Sequence, residues 1–221
     1  MPGQNRAMRL LALADIHAEQ QALGHLAAFL KHERFDAILY AGDFTQFGPA
    51  GFASDALDVL QRAAPVYAVP GNLDTPDVLE LLKKRGVSVH GETKKLGDWT
   101  VAGWGGSPKG FVTTPIQFTE EQILEGLAAL DIGPKTILVT HAPPRGIGDI
   151  SSKGEHAGST SIRRIIEERK PALHVCAHIH EQEGIFELGP TKIVKLRAAK
   201  AGRAAVIKLD RAIDVQLISF W

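Results

Sequence analysis

The chain has one cysteine, Cys176, in 221 residues, so no disulfide can form within it; a reducing compartment fits that usage. Nor is there a run of 18 apolar residues, which leaves nothing to cross a bilayer as a helix, and a membrane is not expected among its partners. The apolar run before Asp15 in MPGQNRAMRLLALAD is too short for a secretory signal. A cytoplasmic location is therefore expected, with residues 1–7 a loose lead-in to a single domain over residues 8–221. An excess of charge is missing too, because Lys plus Arg and Asp plus Glu number 25 each. Nothing general draws such a chain to a nucleic-acid backbone, so nucleic acid is not indicated and any such contact has to be local. Repeats, low-complexity tracts and long linkers are absent as well, and a homo-oligomer is compatible with the sequence without being specified by it.

What is present, at 44% hydrophobic residues, is the composition of a globular protein with a sizeable core. Short apolar runs alternate with segments of helical period, the pattern of an α/β fold with crossover helices. Arg9 to Ala14 reads as a strand. Leu23, Leu26, Ala27 and Leu30 then form a stripe that predicts a helix over 19–33. A strand over 35–41, a helical stripe from Phe52 to Ala63 and a strand over 66–69 follow. Thr75 and Pro76 open another helix that Gly86 ends, and Thr119 with Gln122 forms a capping box. The strands TILVT and ALHVC flank a helix near 160–169 that stops before Pro171. Residues 87–103 and 184–220 show β-like stretches with no helix between them, read as antiparallel and as a second sheet.

The residues just beyond these strands carry the chemistry: Asp15 and His17, Asp43, Asn72, His141, and His178 with His180. In an open α/β sheet ligands bind at the carboxyl ends of the strands, so loops far apart in sequence converge there. Two Asp, one Asn and four His are too many donors for one ion and suit two ions sharing a carboxylate. Neutral imidazoles add affinity without cancelling the Lewis acidity that hydrolysis requires, and they favour Mn, Fe or Zn over Mg. Each element alone is common; the ordered set at strand ends is not.

That set, read as DIH, GD, GNLD, TH and HIH, resembles the calcineurin-like metallophosphoesterase superfamily over nearly the whole chain. The resemblance implies a four-layer αββα sandwich with a dinuclear site at the strand ends. It implies that Asp15, His17 and His180 hold one ion, that Asn72, His141 and His178 hold the other, and that Asp43 bridges them. Hydrolysis by a metal-bridging hydroxide is the implied reaction, with Asp43, Asn72 and Asp74 as the residues expected to carry catalysis. Asp74 is read as orienting Asn72 or a helix N-terminus.

The chain departs from the superfamily's pattern twice. Ala177 stands before His178 where glycine is usual, which removes no ligand. Leu73 stands in GNLD where many members have a histidine thought to protonate the leaving oxygen. Leucine cannot donate a proton, and a general acid contributes roughly 10²–10⁴-fold. The expected function is therefore a metal-dependent phosphodiesterase acting on a small or nucleotide-like diester, similar to the small phosphodiesterase branch of the superfamily. Its rivals are a phosphomonoesterase or protein phosphatase, a nuclease on the same site, and a non-catalytic scaffold, which would be expected to have lost ligands.

Other residues are read more plainly. His156 in SSKGEHAGS reaches either solvent or a substrate phosphate; GWGGSPKGFVTTP is either a mobile rim with Trp104 as a stacking surface or a turn with Trp104 half buried. Lys192, Lys195, Arg197, Lys200 and Arg203 form a basic stretch, normally the solvated face of strands. His25, His32, His90 and His174 follow no ligand pattern, and Cys176 reads as a small buried thiol.

Overall fold

The structure, a computed structural model, describes residues 7–110 and 112–221. The expected lead-in over residues 1–7 thus lies, but for Ala7, outside the described residues. The first half of the chain runs β1 (Met8–Leu13), α1 (Gln20–His32), β2 (Ala37–Tyr40), α2 (Ala50–Ala63), β3 (Val66–Ala68), α3 (Pro76–Lys84), β4 (Thr93–Leu96) and β5 (Trp99–Trp104). After the short pair β6 (Ser107–Pro108) and β7 (Gln117–Phe118) come α4 (Glu120–Ala128), β8 (Thr136–Thr140), α5 (Thr160–Arg169) and β9 (Leu173–Cys176). The last strands are β10 (Gly184–Leu188), β11 (Thr191–Lys195), β12 (Arg203–Leu209) and β13 (Ile213–Ser219).

One sheet has the order β13-β12-β1-β2-β3 and the other β10-β11-β9-β8-β5-β4. Period-two alternation explains how they stack. In β1, Leu11 and Leu13 face α1 and α2 through Leu23, Leu26, Leu57 and Leu60. Leu10 and Ala12 point the other way, into a layer shared with Val101, Ile137, Val139, Val175 and Val194 of the second sheet. On that sheet's far side Ala102 and Leu138 pack against Ile123 and Leu127 of α4 and Ile162 and Ile166 of α5. The result is the αββα sandwich, and burial on both faces is why the central strands read as continuous apolar runs.

The antiparallel segments do not make up the second sheet. They flank both: β12 and β13 extend the first, while β4 and β10 edge a second sheet whose middle, β11-β9-β8-β5, is parallel. Helices α4 and α5 supply the crossovers that keep β5, β8 and β9 parallel.

The capping box opens α4 as expected, with Thr119 accepting from the Gln122 N–H and Gln122 from the Thr119 N–H. Pro76 is the first residue of α3, but the Thr75 side chain makes no capping hydrogen bond to it. Gly86, at φ +71°, follows the C-cap Arg85 in the left-handed region that glycine adopts freely. No helix among the described residues is long and apolar enough to cross a membrane. Cys176 is buried in β9, and that burial pushes its thiol up to about 12.

Candidate metal centre

Loops leaving β1, β2 and β3 of one sheet and β8 and β9 of the other meet at the seam between the sheets. The turn after β1 is tied to the turn after β2 by Asp15 N–H to Gly42 O (2.9 Å) and His17 N–H to Asp43 O (3.1 Å). Asp15, His17, Asp43 and His178 all have positive φ, between 50° and 72°. Left-handed backbone at a non-glycine residue costs about 1–3 kcal/mol and persists only where its surroundings enforce it. Here it aims consecutive loop side chains inward.

Gly42 and Gly71 make that convergence possible. A Cβ on Gly42 would lie 2.6 Å from the Gly71 Cα and 2.6 Å from His141 Nδ1, and one on Gly71 would fall inside the Asp43 carboxylate. The Leu73 N–H donates to Asp43 Oδ1 (2.8 Å), which fixes the carboxylate and directs Oδ2 toward His141 Nε2 at 3.4 Å and His17 Nδ1 at 4.0 Å. Asp43 therefore faces both halves of the cluster.

His141 spans the seam. Its Nδ1 lies 2.7 Å from the Ala41 carbonyl, which can only accept, so the proton belongs on Nδ1. Nε2 then points at Asn72 Oδ1 (2.9 Å) and the Asp43 carboxylate. Burial would lower this ring's pKa, but the Asp43 carboxylate, then Asp15 and the Ala41 carbonyl, outweigh it and lift it to about 9. On the other side His17 Nε2 and His180 Nε2 face each other at 3.2 Å, and His180 Nε2 is 3.6 Å from Asp15 Oδ2.

Both Asp15 oxygens and His17 Nδ1 are buried without a hydrogen-bond partner among the described residues. Burial works against the Asp15 charge, yet the His180, His141 and His17 rings more than offset it and hold the carboxyl well below its usual range. Burial lowers His17, and it pushes His178 down to about 3 with help from the neighbouring His141. Carboxylates and imidazoles from both sheets thus converge on one another.

A family model for calcineurin-like phosphoesterases matches residues 8–182. The chain belongs to this family. An uncharacterized protein of Methanocaldococcus jannaschii is 34% identical over 194 residues, covering 85% of this chain and 87% of its own. The crystal structure of a Thermus thermophilus protein shares the fold at TM-score 0.76 and 20% identity, covering 97% of this chain and 100% of that one. A dimetal phosphatase from Danio rerio does so at TM-score 0.62 and 12% identity, over 97% of this chain and 99% of its own.

This calcineurin-like phosphoesterase is thus a metal-dependent phosphoester hydrolase, and its donors fit divalent cations. Among the described residues two sets can each bring their donor atoms within 4.8 Å, Asp15 with His17 and His180, and Asp15 with Asp43 and His141. Orphaned carboxylate oxygens and opposed imidazole nitrogens are what cations between them would satisfy. Asn72 joins through its 2.9 Å approach to His141. His178 is outside both groups but stacks edge-on against His141, with ring centroids 5.1 Å apart.

Asp74 is placed differently from the expected role. Its carboxylate is fully buried and accepts from Gly71 N–H (2.8 Å), Thr45 N–H (2.8 Å), Thr45 Oγ1 (3.0 Å) and Phe44 N–H (3.2 Å). None of these is Asn72 or a helix N-terminus. Asp74 braces the Asp43 loop against the Asn72 loop, and burial together with the Asp43 charge pushes its pKa up to about 7.

A cleft of about 790 Å³ opens from Asn72, Leu73 and His178 and is walled by Lys109, Arg145 and His156 among others. Trp104 is not in it; its ring packs on His90 (4.6 Å) and Phe118 (5.2 Å), the half-buried alternative. His90 accepts from the Gly105 N–H, and burial with the Lys83 charge brings it down to about 4. His174 reaches Thr140 Oγ1 (2.8 Å), and burial pushes it down to about 3, so both rings are structural.

Within the basic stretch, Arg203 pairs with Glu183 and Lys192 donates to the Ile213 carbonyl. Lys195 is fully buried, and its ammonium donates to the carbonyls of Ile179 (2.6 Å), Leu196 (2.8 Å) and Gln182 (3.3 Å). It clamps the turn that carries His178 and His180, a role the sequence concealed by placing it among surface-type lysines. Replacing it by methionine keeps the stem but strips three carbonyls of their donor. Lys195→Met is expected to weaken metal binding about 10–100-fold, the usual effect of losing a group that orients ligands. Metal titration of stripped protein checks it; unchanged affinity would contradict the clamp.

Proposed function

We infer that this phosphoesterase is a phosphodiesterase for small or nucleotide-like diesters. Asp15, His17 and His180 would hold one transition-metal ion (Mn, Fe or Zn), Asn72, His141 and His178 would hold the second, and Asp43 would serve both. When bound, the ions supply Lewis-acid polarisation of phosphoryl oxygens and activation of water. The chain's own residues set the rest. The Nδ1–H of His141 donates to the Ala41 carbonyl, which leaves Nε2 as the nitrogen that would meet an ion. Asp43 is held by the Leu73 N–H and Asp74 locks the two loops together, so the donors are organised before substrate arrives.

The observation that carries the diester reading is Leu73, half buried at the cleft wall beside Asn72. Its backbone serves Asp43 and its side chain offers no proton. A site without a donor next to the metal cluster favours esters whose leaving group departs readily or receives its proton from elsewhere.

The test is hydrolysis of bis(4-nitrophenyl) phosphate and 4-nitrophenyl phosphate by metal-stripped protein, with and without added Mn. Metal-dependent turnover preferring the diester is expected. A Leu73→His variant should raise monoester turnover relative to diester by about tenfold or more, within the range a positioned acid provides. An unchanged ratio would show that position 73 does not set ester class.

A further inference from the structure

The leaving group of an unactivated alkyl diester departs as an alkoxide, a far stronger base than 4-nitrophenolate, so its departure requires a proton that Leu73 cannot give. The cleft holds one arrangement suited to supply it. The segment after His141 folds back as a hairpin, with Ala157 N–H to Asp149 O (2.9 Å), Ser151 N–H to Glu155 O (2.9 Å) and an antiparallel bridge between Ile150 and His156. This pairing sets the His156 ring beside Asp149, with Nδ1 2.8 Å from Oδ1. Asp149 is 1% exposed, whereas the His156 side chain is 45% exposed and lines the cleft together with Asn72, Leu73 and His178.

The carboxylate is fixed independently of the histidine. Gly158 N–H donates to its Oδ2 at 3.2 Å, and Gly158 itself has no room for a side chain, since a Cβ would lie 2.9 Å from the Asp149 Cβ. The hairpin is anchored to the metal loops as well, because Ile150 N–H donates to Gln182 Oε1 (3.1 Å) and Gly148 packs on the Lys195 stem. An ionised carboxylate on Nδ1 keeps a proton there and leaves Nε2 as the nitrogen open to the cleft. Among the described residues the histidines lining the cleft are His156 and His178, and His178 belongs to the metal cluster.

We propose that His156, oriented by Asp149, is the general acid that protonates the leaving oxygen. The inference rests on the phosphoesterase reading above and adds the missing donor to it. As the phosphorus–oxygen bond breaks, its electron pair stays on the leaving oxygen and the Nε2 proton moves there, giving the free alcohol. The ring, now neutral, regains a proton released by the attacking water through solvent. His156 is the catalytic residue in this step and Asp149 the positioning residue.

The test is a leaving-group series of phosphodiesters, from 4-nitrophenyl through phenyl to an alkyl ester, run on metal-loaded protein with the matching monoesters in parallel. In His156→Gln, turnover of the alkyl ester should fall ~10²–10⁴-fold while the 4-nitrophenyl ester stays within about threefold and metal content is unchanged. Asp149→Asn should give a smaller loss with the same dependence on leaving group. An equal loss across the series, or none, would overturn the proposal, since a merely structural role lowers every ester alike. Wild-type protein that turns over monoesters better than diesters would overturn the diester reading, and the same series on monoesters still decides His156. No turnover of either class by metal-loaded wild type would overturn both.

Discussion

An Asp43→Asn variant is expected to lose turnover by at least ~10³-fold while keeping its fold. The geometry explains why the two effects separate. Asparagine keeps an oxygen for the Leu73 N–H and tolerates the φ of 56° that position 43 requires. What it removes is the charge on the oxygen that faces His141 Nε2 at 3.4 Å and His17 Nδ1 at 4.0 Å. Metal ions stabilise the transition state by several kcal/mol, and about 1.36 kcal/mol is a factor of ten, which sets the size of the expected loss. Metal analysis should find fewer than two ions per chain, and thermal unfolding of the stripped variant should match stripped wild type or exceed it. Two retained ions with near-normal turnover would rule out Asp43 as the shared ligand.

Asp43 was legible in the sequence for a reason that did not extend to everything around it. A donor following a strand in a βαβ pattern is carried to one end of the sheet whatever its sequence distance from the others, so strand ends alone gathered Asp15, Asp43 and His141. Contacts made across the fold were not legible in that way. Asp74 looked like a partner for its neighbour Asn72, but its carboxylate reaches Phe44 and Thr45 on a different loop. Lys195 looked solvated until β11 was placed beside β9 (Lys195 against Cys176), which puts its side chain under the His178 turn. The Asp149 contact to His156 depends on a hairpin turning at Gly154 (φ +76°), which no periodicity announces. The antiparallel strands were recognisable as such; which sheet each joined depended on which partner had an unpaired edge.

Two glycine-to-alanine substitutions are expected to shift stability in opposite directions. Gly24 lies on the exposed face of α1 with nothing within 4 Å of an added Cβ. Alanine there restricts the unfolded chain and suits the helix, so Gly24→Ala should stabilise by about 0.5–1 kcal/mol. Gly71 is the reverse case, buried where an added Cβ would collide with both the carboxylate and the backbone nitrogen of Asp43. Neither atom can move freely, because Asp43 Oδ1 holds the Leu73 N–H and the loop is braced through Asp74. Overpacking of this kind costs about 3 kcal/mol, and at about 2–4 °C per kcal/mol for a chain of this size Gly71→Ala should melt ~6–12 °C below wild type. The loops carrying Asp43 and Asn72 must also part to admit the methyl group, so the variant should bind metal poorly even where it remains folded. Calorimetry of stripped and metal-loaded protein separates the two effects: metal should raise the melting temperature of wild type and Gly24→Ala, and raise that of Gly71→Ala little or not at all. A Gly71→Ala protein that melted like wild type and gained the same increment from metal would mean that the close approach of these two loops is not what organises the centre.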